Sequence, residues 1–315
     1  MSTPLVYRWT HDALKEQRYD LFVASLGFEQ RARHIAEEYS PMANSRIALA
    51  FGDRHELSYA DNKEFFTDAA YDIWMCDDAS IRHDLVSAMK DRRNTTSSSM
   101  AVCIDISSMS RIRLAACILA LQELASEVTT VTADFVYSIA KYSPAPNFDV
   151  EPVHTGPVLP EFAGWTNAPE KPLCLVLGLG YEVDRALGAF DLLEPSDVWT
   201  FIPRGVSPEY DEALKGANAG LFRLVSGDAR KIYYSIDTPF DCFVKMESFM
   251  HGASLVSRPV IVPFGPKIFA LVSLLVGCVY KNVAVWRISF GLNEPPIERV
   301  PNGMLTGLRV TFTGE

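Results

Sequence analysis

Seven residues, Asp105-Ile106-Ser107-Ser108-Met109-Ser110-Arg111, join the end of an apolar run to the start of a helical pattern. Three hydroxyls beside a helix N-terminus suit an anion, because free N–H groups and the helix dipole favour negative charge there. Arg111 and Arg113 add cations, and a guanidinium grips phosphate bidentately. The alternative is that Ser107 or Ser108 caps the helix and Arg111 is a solvated first-turn residue. Asp105 ends the preceding strand, where it could act as a general base or cap the local loop.

A second set follows the run LFVASLGFE at 21–29 and comprises Gly27, Phe28, Glu29, Arg31 and Arg33. Glycine lets a backbone approach a ligand closely. Glu29 could accept from a base or a ribose hydroxyl, or simply complement the helix dipole. Both sets recur further along the chain. LCLVLGLGYE at 173–182 repeats the first-strand pattern with Gly180, Tyr181, Glu182 and, beyond it, Arg185. PVIVPFGPK repeats the other loop with Phe264, Gly265 and Lys267 but without the hydroxyls. RIALAFG at 46–52 matches VWTFIPRG at 198–205. The three matches share offsets of 152 to 156 residues, the mark of an internal repeat.

Several familiar chemistries are missing. The chain has no GxxxxGK[ST], no GxSxG and no HExxH. Gly178-Leu179-Gly180 begins a dinucleotide fingerprint, but Val183 stands at its third glycine. The six histidines (His11, His34, His55, His83, His154 and His251) do not cluster at metal-ligand spacing, so neither a metal nor a cofactor is expected. Net charge is −10, from 29 basic and 39 acidic residues, which disfavours a long nucleic-acid groove but not a small anionic ligand. Six cysteines lie without a CxxC pair, mostly in apolar runs, which points to a reducing cytoplasm. The apolar stretch after Lys267 runs 13 residues, short of the ~20 a membrane span needs.

The elements that must hold these loops follow from periodicity. Strands are predicted at 21–26, 46–51, 71–75, 100–106 and 131–139, with helices at 28–39, 58–69, 80–92 and 110–125. The second half repeats this, with strands at 173–178, 198–203, 231–236, 259–264 and 283–289. Its helices are predicted at 181–192, 208–220, 240–252 and 266–280. Seven of the 19 prolines fall in 141–172, read as an ordered connector in which Phe148, Phe162 and Trp165 supply apolar surface. Pro301-Asn302-Gly303 is a turn signal for a C-terminal hairpin. The expected fold is α/β, with two tandem Rossmann-like parallel-sheet units related by internal duplication. Their bounds are 1–140 and 173–315, on either side of the connector. With strand order 3-2-1-4-5, the ligand crevice lies between strands 1 and 4. Those are the strands that the two repeated loops follow.

In these motifs the chain resembles the CARF and SAVED sensors of prokaryotic antiviral systems. The two expected Rossmann-like units, with SSMSR and FGPK at the starts of the helices after their fourth strands, carry the likeness, and the phrases GFExR and DISSMSR also resemble uncharacterised defence-island proteins. The resemblance implies paired Rossmann-like units that bind a nucleotide or oligonucleotide signal, with another defence protein as partner and oligomerisation open. The expected ligand-binding set is Gly27, Phe28, Glu29, Arg31, Ser107, Ser108, Ser110, Arg111, Gly180, Tyr181, Glu182, Arg185, Phe264, Gly265 and Lys267. Phe264 is expected to offer a stacking face. The alternatives are hydrolysis of a phosphodiester or N-glycosidic bond by Glu29, Asp105 or Glu182, and a scaffold role in a larger complex.

Overall fold

A computed structural model describes residues 3–92, 98–145, 151–165, 168–205, 207–225 and 227–314. The fold is α/β and divides into two compact units, Met1–Lys141 with Pro296–Glu315, and Tyr142–Pro295.

Unit 1 holds β1 (Leu5–Arg8), β2 (Tyr19–Leu26), β3 (Ala43–Ala50), β4 (Asp72–Met75), β5 (Ser99–Asp105) and β6 (Thr130–Ala140). Between them lie α1 (Ala13–Glu16), α2 (His34–Glu38), α3 (Tyr59–Asp68), α4 (Ile81–Arg92) and α5 (Arg111–Ala125). In unit 2 the strands are β7 (His154–Pro157), β8 (Leu173–Gly178), β9 (Asp197–Arg204), β10 (Lys231–Ser235), β11 (Arg258–Pro263) and β12 (Ala284–Ser289). Its helices are α6 (Arg185–Leu193), α7 (Pro208–Ala217), α8 (Ala219–Leu224), α9 (Pro239–Val256) and α10 (Lys267–Val279). The chain then returns to unit 1 as β13 (Pro301–Thr313).

The sheet of unit 1 runs β1-β13-β6-β5-β2-β3-β4 and that of unit 2 runs β10-β9-β8-β11-β12-β7. Each contains five parallel strands in the order 3-2-1-4-5, with an antiparallel strand beside the fifth. Continuous apolar runs such as Val102-Cys103-Ile104 form strands covered on both faces, the usual condition of parallel strands. The helices after the fourth strands are buried nearly all round, so α5 and α10 read as unbroken apolar segments rather than amphipathic ones.

Several elements differ from expectation. No C-terminal hairpin forms. Residues 301–313 are one strand between β1 and β6, and the Pro301–Leu305 stretch is a register shift in the β6 pairing. Residues 296–315 therefore belong to unit 1, and the 141–172 connector belongs almost entirely to unit 2, where it supplies β7. Phe162 in that connector is buried and Trp165 is exposed, while Phe148 lies outside the described residues. The helix expected at 28–39 is a 3-10 turn, Gln30–Ala32, followed by the short α2. The Gln30 and Arg31 N–H groups at the start of that turn, which a helix would leave free, donate to Glu298 and to the Arg299 carbonyl. The helix expected at 181–192 begins only at Arg185, after Asp184 at φ 57°.

Candidate functional site

In unit 1 the β2–β5 ladder ends at Val23 and Ile104, although β2 continues to Leu26 along β3. The two strands part at the point where strand order reverses, where ligands of doubly wound sheets bind. The loops that leave this point pack on each other. A Cβ on Gly27 would fall on the Ser108 hydroxyl, so glycine gives the two loops this close approach. Asp105 Oδ1 accepts from the Ser107 N–H at 2.8 Å, which turns the chain at the end of β5. Ser107 Oγ accepts from the Ser138 N–H at 2.8 Å and ties the loop to β6. Ser110 caps α5, its side chain accepting from the Arg113 N–H at 3.2 Å. Arg111, half-buried, is the first residue of that helix.

Glu29 and Arg31 form a buried ion pair at 2.5 Å. Arg31 also donates to the Tyr137 hydroxyl at 3.1 Å and the Ser138 carbonyl at 3.3 Å. Burial works against its charge, but Glu29 and Tyr137 outweigh that and hold the guanidinium above its ordinary range. These two residues thus anchor the β2 loop to β6. Phe28 packs against the unit 1 core. Arg113, expected only as an added cation, is spent internally. It donates to the carbonyls of Leu49, Ala50 and Cys76, pairs with Asp78 at 2.8 Å and lies 3.8 Å over the Phe51 ring.

Unit 2 solves the same packing problem with backbone. Its ladder between β8 and β11 stays closed to Gly178 and Pro263. A Cβ on Gly180 would lie 2.9 Å from the Gly265 nitrogen, and the Glu182 carboxylate also covers that face. Gly265 adopts φ 64°, the left-handed region that a side chain resists. Tyr181 packs edge-on to Tyr142 and Tyr210. Arg185 pairs with Glu294 at 2.9 Å and lies 4.4 Å over the Phe290 ring. Lys267 opens α10 at half exposure. Phe264 is a correction: it is 6% exposed inside the unit 2 core and presents no stacking face, because the backbone turns at Gly265 rather than before it.

Two asparagines were missed. Asn62 of α3, fully buried, donates to the carbonyls of Gly27 and Glu29, each at 2.9 Å. Asn218, between α7 and α8, donates at 2.8 Å to the carbonyls of Gly180 and Leu214. They stand 156 residues apart, the offset of Arg111 and Lys267, so extending the alignment of the two halves would have found them. Glu298 was missed as well, since it lies far along the chain from the loops it touches.

Comparison of the chain with protein-family models and with curated proteins finds no match. Among the described residues, no group of three or more His, Cys, Asp or Glu is placed to hold a metal ion, and no helix is long and apolar enough to cross a membrane.

Proposed function

We propose that this protein is a sensor of a prokaryotic antiviral defence system, one that binds a nucleotide or oligonucleotide signal at the switch points of two duplicated Rossmann-like units. One observation carries the reading. In both units the helix that leaves the fourth parallel strand starts at the switch point with a cation as its first residue, Arg111 in α5 and Lys267 in α10. A helix N-terminus with a cation is suited to a phosphate. The shared strand order and the matched asparagines support duplication. The CARF and SAVED likeness of SSMSR and FGPK supplies the ligand class.

Binding is favoured over hydrolysis because two of the three carboxylate candidates serve the fold. Glu29 lies in a buried ion pair and Asp105 Oδ1 turns the β5 loop. A thermal-shift panel of mononucleotides, cyclic dinucleotides and linear and cyclic oligonucleotides tests the proposal. A ligand at 100 times its Kd should add ~2.7 kcal/mol. Folded protein that is indifferent to the whole panel overturns it. Mass spectrometry of ligand recovered after incubation should return it unchanged.

A further inference from the structure

The return segment Glu294-Pro295-Pro296-Ile297-Glu298 brings carboxylates to the first-strand loops. In unit 1, Glu298 Oε1 accepts from the Gln30 N–H at 2.5 Å, and Oε2 accepts from the Ser58 hydroxyl at 2.8 Å. Gln30 belongs to the loop after β2 and Ser58 to the loop after β3, and the Ser58 N–H also donates to the Phe28 carbonyl at 3.1 Å. Two loops at the C-terminal edge of the sheet thus pool a backbone N–H and a hydroxyl on one carboxylate, more than 200 residues away in sequence. Both are charge-assisted contacts. In unit 2, Glu294 of the same segment sits on Arg185 at 2.9 Å, in the loop and helix that follow β8.

We infer that the Gln30 N–H and Ser58 hydroxyl form an anion subsite, occupied internally by Glu298, which the phosphate or carboxylate of a ligand displaces. The subsite stands on these contacts alone; its use by a nucleotide rests on the sensor reading. Displacement releases the segment 296–300. That segment is further held by the Arg299 carbonyl, which accepts from Arg31 N–H, and the Val300 carbonyl, which accepts from Lys141 N–H. An internal competitor weakens the apparent affinity for the ligand, so removing it tightens binding, whereas removing a merely structural contact does not.

The test uses the full chain as wild type, Glu298→Ala, Glu298→Gln and Ser58→Ala/Glu298→Ala. Glu298→Gln removes the charge but keeps one acceptor oxygen and nearly the native shape, and guards against a loss of fold. Inorganic phosphate should raise the Tm of Glu298→Ala saturably beyond a chloride control at equal ionic strength, and that of the wild type only at about tenfold higher concentration; adding Ser58→Ala should abolish that gain. Glu298→Ala that is folded yet gains nothing beyond the chloride control overturns the subsite. In calorimetry with the nucleotide panel, Glu298→Ala should bind about tenfold tighter than wild type, the factor expected if the competitor holds the site nine-tenths of the time. Equal or weaker binding overturns displacement. Phosphate rescue with no nucleotide bound by any variant keeps the subsite and overturns the nucleotide-sensor reading.

Discussion

Asn62 holds Gly27 in place: its Nδ2 donates at 2.9 Å to the Gly27 carbonyl from a fully buried position on α3. The second proton of the same amide goes to the Glu29 carbonyl at 2.9 Å, so one side chain fixes both ends of the turn that leaves β2. Asn62→Leu leaves two carbonyls without that donor. At roughly 1–3 kcal/mol for each polar group left unpaired, it should lower stability by about 2–4 kcal/mol in urea unfolding. A loss under 0.5 kcal/mol would show that the turn stands without the amide.

Gly27→Ala and Gly180→Ala should both destabilise, by about 1–3 kcal/mol for an overpacked site. Their rescue should differ. The added methyl at Gly27 meets the Ser108 hydroxyl, so Ser108→Ala should recover much of the loss and the pair should be non-additive in a double-mutant cycle. At Gly180 the obstacle includes the backbone of Gly265, so Glu182→Ala should recover little. Equal rescue at both positions would contradict the distinction between side-chain and backbone packing.

Arg113 and Phe269 are the third residues of α5 and α10 and answer one need with different chemistry. The guanidinium satisfies the carbonyl ends of β3, whereas the Phe269 ring fills the space above Gly178 and stacks 5.3 Å from Tyr234. Arg113→Leu strands the Leu49 and Ala50 carbonyls and should cost about 2–4 kcal/mol. Its salt dependence should be small, because the guanidinium is buried. Denaturant midpoints at low and high salt check both expectations.

Burial lowers the His34 pKa from its ordinary 6.5, with Glu38 and Glu37 partly opposing the shift. The neutral ring bonds to Ser138 Oγ through Nδ1 at 2.9 Å. Below pH 6.5 the unfolded chain takes up a proton that the folded one resists, so stability should fall as pH drops from 6.5 toward the lowered folded value. It should level off once both states are protonated. His34→Gln should flatten the pH dependence within that window. An unchanged slope in the variant would assign the effect to other groups.

The parallel strands were legible because most are short apolar runs closed by a turn, and the strand order followed from the doubly wound pattern of alternating strands and helices. β1 was not, since four residues with Leu5 and Tyr7 exposed carry no burial pattern. β7 hid in the proline-rich segment because it is an edge strand, where missing N–H groups cost little. Pro301-Asn302-Gly303 reads locally as a hairpin turn, yet its place is decided by β6 and by the Arg309–Asp134 pair at 2.7 Å, contacts far away in sequence. The site loops were legible as positions but less so in role. Capping was expected of Ser107 or Ser108, but Ser110 caps α5 and Ser107 spends its oxygen on the Ser138 N–H of β6. Long-range partners such as Tyr137 for Arg31, or Glu298 for Gln30, leave no local signal.

The most direct measurement of the sensor account is calorimetric titration of the full chain with nucleoside phosphates and cyclic di- and oligonucleotides, repeated on Arg111→Ala and Lys267→Ala. The account predicts saturable binding by the wild type. Arg111→Ala, which removes the cation that opens α5, should weaken it by about 10- to 100-fold, or ~1.5–3 kcal/mol, the worth of a charge-assisted contact. Lys267→Ala should cost less, because the β11 loop offers no hydroxyl and Pro266 offers no N–H. A wild-type ligand that Arg111→Ala binds with undiminished affinity would place the site elsewhere and contradict the account.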